Sequence, residues 1–108
     1  MDKPVKSLGY PSNVERLSNG AANPVIDTRM DKLPWMAVLK VGRTLKEGMK
    51  YERDIKDNWK LVPANEHLNH ALRHIANYQS GDRTEDHVGH AATRILMWAE
   101  LECQVETN

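Results

Sequence analysis

Residues 63–103 read PANEHLNHALRHIANYQSGDRTEDHVGHAATRILMWAELEC, and this run decides the fold. Leu68, Ala71, Leu72, Ile75 and Tyr78 recur at steps of three and four, which predicts a helix from about Pro63 or Ala64 to Gln79 with those residues as its buried face. Ser80-Gly81-Asp82-Arg83 supplies a stop and a short turn. Thr84 suits an N-cap, and Glu85 and Asp86 fall in a first turn where the helix dipole favours negative charge. The helix that follows carries Val88, Ala91, Ala92, Ile95, Ala99 and Cys103 on one side and Met97, Trp98 and Leu101 on much of the other. A helix apolar nearly all round needs neighbours on every side, more than two short helices provide.

Upstream, Trp35, Val38, Gly42, Leu45 and Met49 form one apolar stripe after Pro34, whose missing N–H is tolerated in a first helical turn. Glu47 to Trp59 reads as the end of that helix and a polar connection. Residues 1–28 carry Pro4, Gly9, Pro11, Gly20 and Pro24 without helical or strand periodicity, although Val5, Leu8, Tyr10, Val14, Leu17, Val25 and Ile26 offer apolar anchors. The predicted fold is all-α, with no strands. An irregular N-terminal arm (1–28) precedes a helical domain (29–108), a small bundle of about three helices completed by oligomerisation.

Composition narrows the functions. Fifteen basic and fifteen acidic side chains cancel, removing the positive field that sequence-independent nucleic-acid binding uses. No apolar run approaches the roughly 20 residues of a membrane span. The single cysteine cannot pair within the chain, and no export signal precedes it, which points to the cytoplasm. Cys103, late in an apolar helix, is expected in the core. With 40% hydrophobic residues and no Phe, the core is modest, and self-association would stabilise it.

All five histidines fall on the two predicted helices. His70 and His74 stand four apart on the first, His87 and His90 three apart on the second, so each pair shares a helix face. A short turn makes the helices antiparallel neighbours, with His74 near the level of His87. Facing imidazole pairs are how helical bundles build metal sites, and Zn²⁺, Mn²⁺ or Fe²⁺ suits such ligands. The plainer alternative is that the rings border the apolar face and hydrogen-bond locally, the reading preferred for His67. Glu85 and Asp86 can complete a mixed carboxylate and imidazole set or orient a ligand. Arg73, Arg94 and Lys50 can hold phosphate oxygens, the plainer alternative for each being a solvated surface cation, and Asn58 and Trp59 can bond and stack on a base, the alternative for Trp59 being a core position. A Gly-rich phosphate loop, His-Glu-x-x-His, Cys-x-x-Cys and Gly-x-Ser-x-Gly are all absent.

The ordered pieces Leu33-Pro34, Gly48-Met49-Lys50-Tyr51, Asn58-Trp59, His70, Arg73-His74, Gly81-Asp82 and His87-Val88-Gly89-His90-Ala91-Ala92 resemble a family found mainly in bacteriophages, the dATP/dGTP diphosphohydrolase N-terminal domain family. The resemblance runs from about Asp31 to Glu102. It implies a phage protein, an all-α fold and a purine deoxynucleoside triphosphate ligand, cleaved with metal assistance to release pyrophosphate; Mg²⁺ or Mn²⁺ would polarise the phosphates and activate water. Related all-α pyrophosphatases hold metals with Glu-x-x-Glu and Glu-x-x-Asp pairs, and this chain offers Glu66, Glu85 and Asp86 without completing either.

The resulting expectation is a nucleotide phosphohydrolase-like protein of the host cytoplasm that binds a purine nucleotide and a divalent metal, Mg, Mn or Zn. His70, His74, His87 and His90 are the expected metal or phosphate ligands. Glu85 and Asp86 are the catalytic carboxylates, and Lys50, Asn58, Trp59, Arg73 and Arg94 surround the nucleotide. The incomplete acidic set and the oligomer-prone last helix favour the alternative, a non-catalytic phage protein that sequesters a nucleotide such as a defence signal, or binds a host protein.

Overall fold

The computed structural model describes residues 14–107, with side chains to Gln104. The chain divides into two units, residues 1–33 and 34–108. In the first, Val14–Arg16 (β1) and Ala22–Pro24 (β2) pair antiparallel, with Val14 opposite Pro24, Glu15 opposite Asn23 and Arg16 opposite Ala22. The expectation of an arm without strands is corrected by its turn chemistry. Gly20 takes φ +90, open to glycine at little cost, and the Asn19 carboxamide oxygen accepts the Ala21 N–H at 3.0 Å. Asn-Gly closes a hairpin even between strands too short to show alternation. Leu17, Val25 and Ile26 are exposed; Val5, Leu8 and Tyr10 lie outside the described residues.

The second unit contains the helices Trp35–Gly48 (α1), Ala64–Gln79 (α2) and His87–Thr107 (α3), with 3-10 turns at Met49–Glu52 and Asn58–Leu61 between α1 and α2. It is mostly helical, as expected. Helix α3 is central, packed on α2 most extensively and also on α1 and the 58–61 turn, which accounts for its apolar residues on several sides. Even so Val88 and Leu96 stay about half exposed.

The buried faces differ from those the apolar spacing predicts. Helix α1 turns Lys40, Val41, Thr44 and Gly48 inward, leaving Trp35, Val38, Leu45 and Met49 exposed. Helix α2 buries His67 and Ala71 and half-buries His74, while Leu72, Ile75 and Tyr78 are exposed. This is a rotation of about one residue position, or ~100°. In α2 the cause is polar: His67 and His74 find hydrogen-bond partners on the inward side, which a leucine face could not use. Ala71 and Ala91, both buried, put small side chains where α2 and α3 need to come close. Cys103, expected in the core, is exposed, near the end of a 21-residue helix that packs chiefly on one of 16 residues.

The link between α2 and α3 is tightly made. Gly81 takes φ +97 as α2 ends, its N–H bonded to the Tyr78 carbonyl at 3.0 Å and the Asp82 N–H to that of Asn77 at 3.0 Å. Arg83 lies 3.7 Å over the Tyr78 ring and donates to the Tyr78 carbonyl at 2.8 Å. The cap of α3 is Asp86, not Thr84: its Oδ1 accepts the Gly89 N–H at 3.0 Å, and its Oδ2 meets Lys40 Nζ of α1 at 3.0 Å. Thr84 instead donates both N–H and hydroxyl to Asp82 Oδ1, at 2.9 and 2.7 Å. No helix of the described residues is long and apolar enough to cross a membrane.

Candidate metal centre and nucleotide cleft

Four of the predicted groups meet where α2, the turn and the start of α3 converge. His74 Nδ1 of α2 stands 2.9 Å from His87 Nδ1 of α3. Glu85 Oε1, just before α3, lies 3.6 Å from His74 Nδ1, 3.9 Å from His87 Nδ1 and 3.1 Å from His90 Nδ1. Helical spacing places His87 and His90 together, and the tight turn brings Glu85 back over both.

Hydrogen bonding fixes the ring of His87, which is only 2% exposed. Its Nε2–H donates to Asp82 Oδ2 at 2.9 Å, leaving Nδ1 as the nitrogen turned to His74. Asp82 is held far below the usual carboxylate range by the hydroxyl and N–H of Thr84, and then by His87, so it is an anion and a fixed acceptor. Burial above all, then the neighbouring His90, holds His74 below the ordinary imidazole value, with Glu85 pulling the other way. Two imidazole nitrogens at 2.9 Å are placed to share a proton or a cation.

The donor set fits a divalent ion. One ligand atom each from His74, Glu85 and His87 lies within 4.8 Å of the other two. A tetrahedral site with bonds of ~2.0–2.1 Å has edges of about 3.3 Å, and the observed separations of 2.9, 3.6 and 3.9 Å bracket that value. Three protein ligands with a position left open is the pattern of catalytic zinc. Asp82 gives His87 the carboxylate partner that metal-bound histidines ordinarily have. His90 Nδ1, buried beside Glu85, has no hydrogen bond of acceptable geometry, a polar atom placed for something the protein alone does not provide.

His74, Glu85 and His90 open on a cleft of about 570 Å³. Lys50, Asn58, Trp59 and Arg94 line the same cleft, as do Thr44, Tyr51 and Glu52. Arg94, half-buried, donates from Nη1 to His67 Nδ1 at 3.0 Å, and among the described residues no carboxylate lies within ion-pair distance of it. His67 is wholly buried and donates from Nε2 to the Trp59 carbonyl at 2.9 Å.

Three predicted site residues stand elsewhere. His70, one turn before His74, is half-buried and does not line the cleft. Arg73 is exposed on the outer side of α2. Asp86 caps α3 and pairs with Lys40, its carboxyl held low by the Gly89 N–H first and Lys40 second. Asp82 escaped the sequence reading, since a turn residue five before His87 belongs to no periodicity; its signal was the Gly81-Asp82 pair.

A mostly helical unit carries a histidine and carboxylate cluster that opens on a cleft lined by both cations, Lys50 and Arg94, and carboxylates, Glu47, Glu52 and Glu85. The sequence pattern of the family described as dATP/dGTP diphosphohydrolase, N-terminal, matches residues 18–108, and the chain belongs to this family. No curated protein and no solved structure matches the chain.

Proposed function

We propose that this protein hydrolyses a purine deoxynucleoside triphosphate to the monophosphate and pyrophosphate with a divalent metal held by His74, Glu85 and His87. The observation that carries the reading is that two of these donors, His74 and Glu85, open on the cleft that also holds Arg94, a cation with no carboxylate within ion-pair distance among the described residues. A bound divalent ion supplies charge that offsets the phosphate oxygens and makes nearby water more acidic.

The chain's own side chains do the rest. Arg94 and Lys50 bind phosphate oxygens, and Trp59 and Tyr51 offer ring faces to the base. His90 faces the cleft beside Glu85 and takes the proton as water adds to phosphorus and the bond between the α and β phosphates breaks. Asp86 acts on the scaffold, through the cap of α3. His70 and Arg73 have no part in this reading.

The test is incubation of the purified protein with dATP or dGTP and Mg²⁺, Mn²⁺ or Zn²⁺, with products resolved by ion exchange. Monophosphate and pyrophosphate in equal amounts are expected. No turnover with any of these metals refutes catalysis. One observation favours a second reading, sequestration without cleavage: Asp82 and Asp86 are both engaged in structural hydrogen bonds, leaving Glu85 as the sole carboxylate of the metal set. Intact nucleotide recovered after denaturing a stable complex would support that reading.

A further inference from the structure

His67 is wholly buried, yet its ring contacts a charged group of the cleft. Its protonation follows from its partners. The Trp59 carbonyl only accepts, so the Nε2 it meets at 2.9 Å must carry the proton. Arg94 only donates, so the Nδ1 it meets at 3.0 Å must be bare. His67 is therefore a neutral imidazole of one tautomer. Burial holds it below the ordinary imidazole value, against the opposing pull of the Trp59 carbonyl bond, and the Arg94 charge adds to the lowering.

Such a partner is unusual for a half-buried arginine, which normally meets a carboxylate. A carboxylate would aim the guanidinium but cancel its charge and compete with an incoming anion. A neutral nitrogen lone pair aims it and leaves the charge whole. The geometry points to His67 as a positioning residue that holds Arg94, through the fixed chain Trp59 carbonyl, His67 and guanidinium, as a ready-made phosphate anchor in the cleft. This rests on the nucleotide reading above, and it assigns the anchor to the phosphate chain and not to the base. Arg94 has five N–H donors, of which His67 takes one; the others remain for phosphate oxygens. Because His67 lies outside the metal set, anion and metal binding are separable.

Inorganic pyrophosphate and Mn²⁺, each titrated calorimetrically, test this in the full chain. In His67→Leu, pyrophosphate affinity should fall about tenfold or more, the scale of a lost hydrogen bond to a charged group, with Mn²⁺ affinity unchanged. His67→Asn, which keeps an acceptor near the Nδ1 position, should retain most of the affinity. His67→Glu should lose it, because the anchor is then neutralised although still held. Nitrogen NMR of the wild-type protein at pH 7 should find His67 neutral with its proton on Nε2. The opposite tautomer, or pyrophosphate affinity unchanged in His67→Leu, overturns the positioning role alone. Joint loss of Mn²⁺ and pyrophosphate in both the Leu and Asn variants also overturns it, making His67 a core residue. A wild-type protein that binds no pyrophosphate overturns the nucleotide reading itself.

Discussion

His87 carries the centre because one of its nitrogens is committed and the other is not. Asp82 accepts the hydrogen bond of the Nε2–H, so Nδ1 is presented to His74 and Glu85. Replacing Asp82 by Asn keeps the size but lets the ring choose the other tautomer. Divalent metal affinity should fall about 10–100-fold, measured by titration with Zn²⁺ or Mn²⁺, the usual cost of losing such a partner. Unchanged affinity would mean that Asp82 serves the turn only. Acid should also act through single rings. His67 and His74 both bind protons less readily when folded than the ordinary value of 6.5. Below that value the unfolded chain takes up protons that the folded chain refuses, so stability is full above about pH 6.5 and declines as pH falls toward 5. The melting temperature should therefore be lower at pH 5.5 than at pH 7.5, with a smaller difference in His67→Asn. His74, Glu85, His87 and His90 were legible in the sequence because helical counting aligns them across a short turn. His70 obeyed the same count and stands aside, since helix α2 presents the line of His67, Ala71 and His74 to its neighbour.

Among the elements, the boundaries of α2 and the start of α1 follow from Pro34, Pro63 and the Gly81 stop, all legible as local chemistry. Facing was not legible, because apolar spacing reports where hydrocarbon lies and not which side wins polar partners. The start of α3 tests how closely α1 and α3 approach. A methyl at Gly89 would collide with the Asp86 carboxylate and crowd Lys40 of α1. Alanine gains up to about 1 kcal/mol in helix propensity over glycine, but overpacking costs ~1–3 kcal/mol and a lost cap about 1 kcal/mol more. Destabilisation therefore wins. Gly89→Ala should melt several degrees lower, since about 1 kcal/mol moves a domain of this size by roughly 4–8 °C. A variant more stable than wild type would show that α1 does not press on this turn.

At the scale of the whole molecule, the second unit buries few apolar side chains and leaves many outside. Val41, Ala71 and Ala91 are the buried ones among the described residues, while Met36, Leu39, Leu72, Ile75, Val88 and Leu96 are exposed. Hydrophobic surface on this scale marks an association face more often than a free one. Self-association, read in the sequence from a helix apolar nearly all round, is the expectation that these exposures support. Light scattering coupled to gel filtration should give at least twice the mass of one chain, and Leu72→Glu with Ile75→Glu should shift it toward one. A monomer at every concentration would contradict this.

One measurement bears most directly on the metal centre that the account depends on. A crystal of the wild-type protein grown with Mn²⁺ or Zn²⁺, with diffraction recorded at the absorption edge of the metal, locates the ion without reference to activity. An anomalous peak within bonding distance of His74 Nδ1, Glu85 Oε1 and His87 Nδ1 is predicted. Ordered density for the three side chains with no peak among them, at metal concentrations well above those in cells, would contradict it.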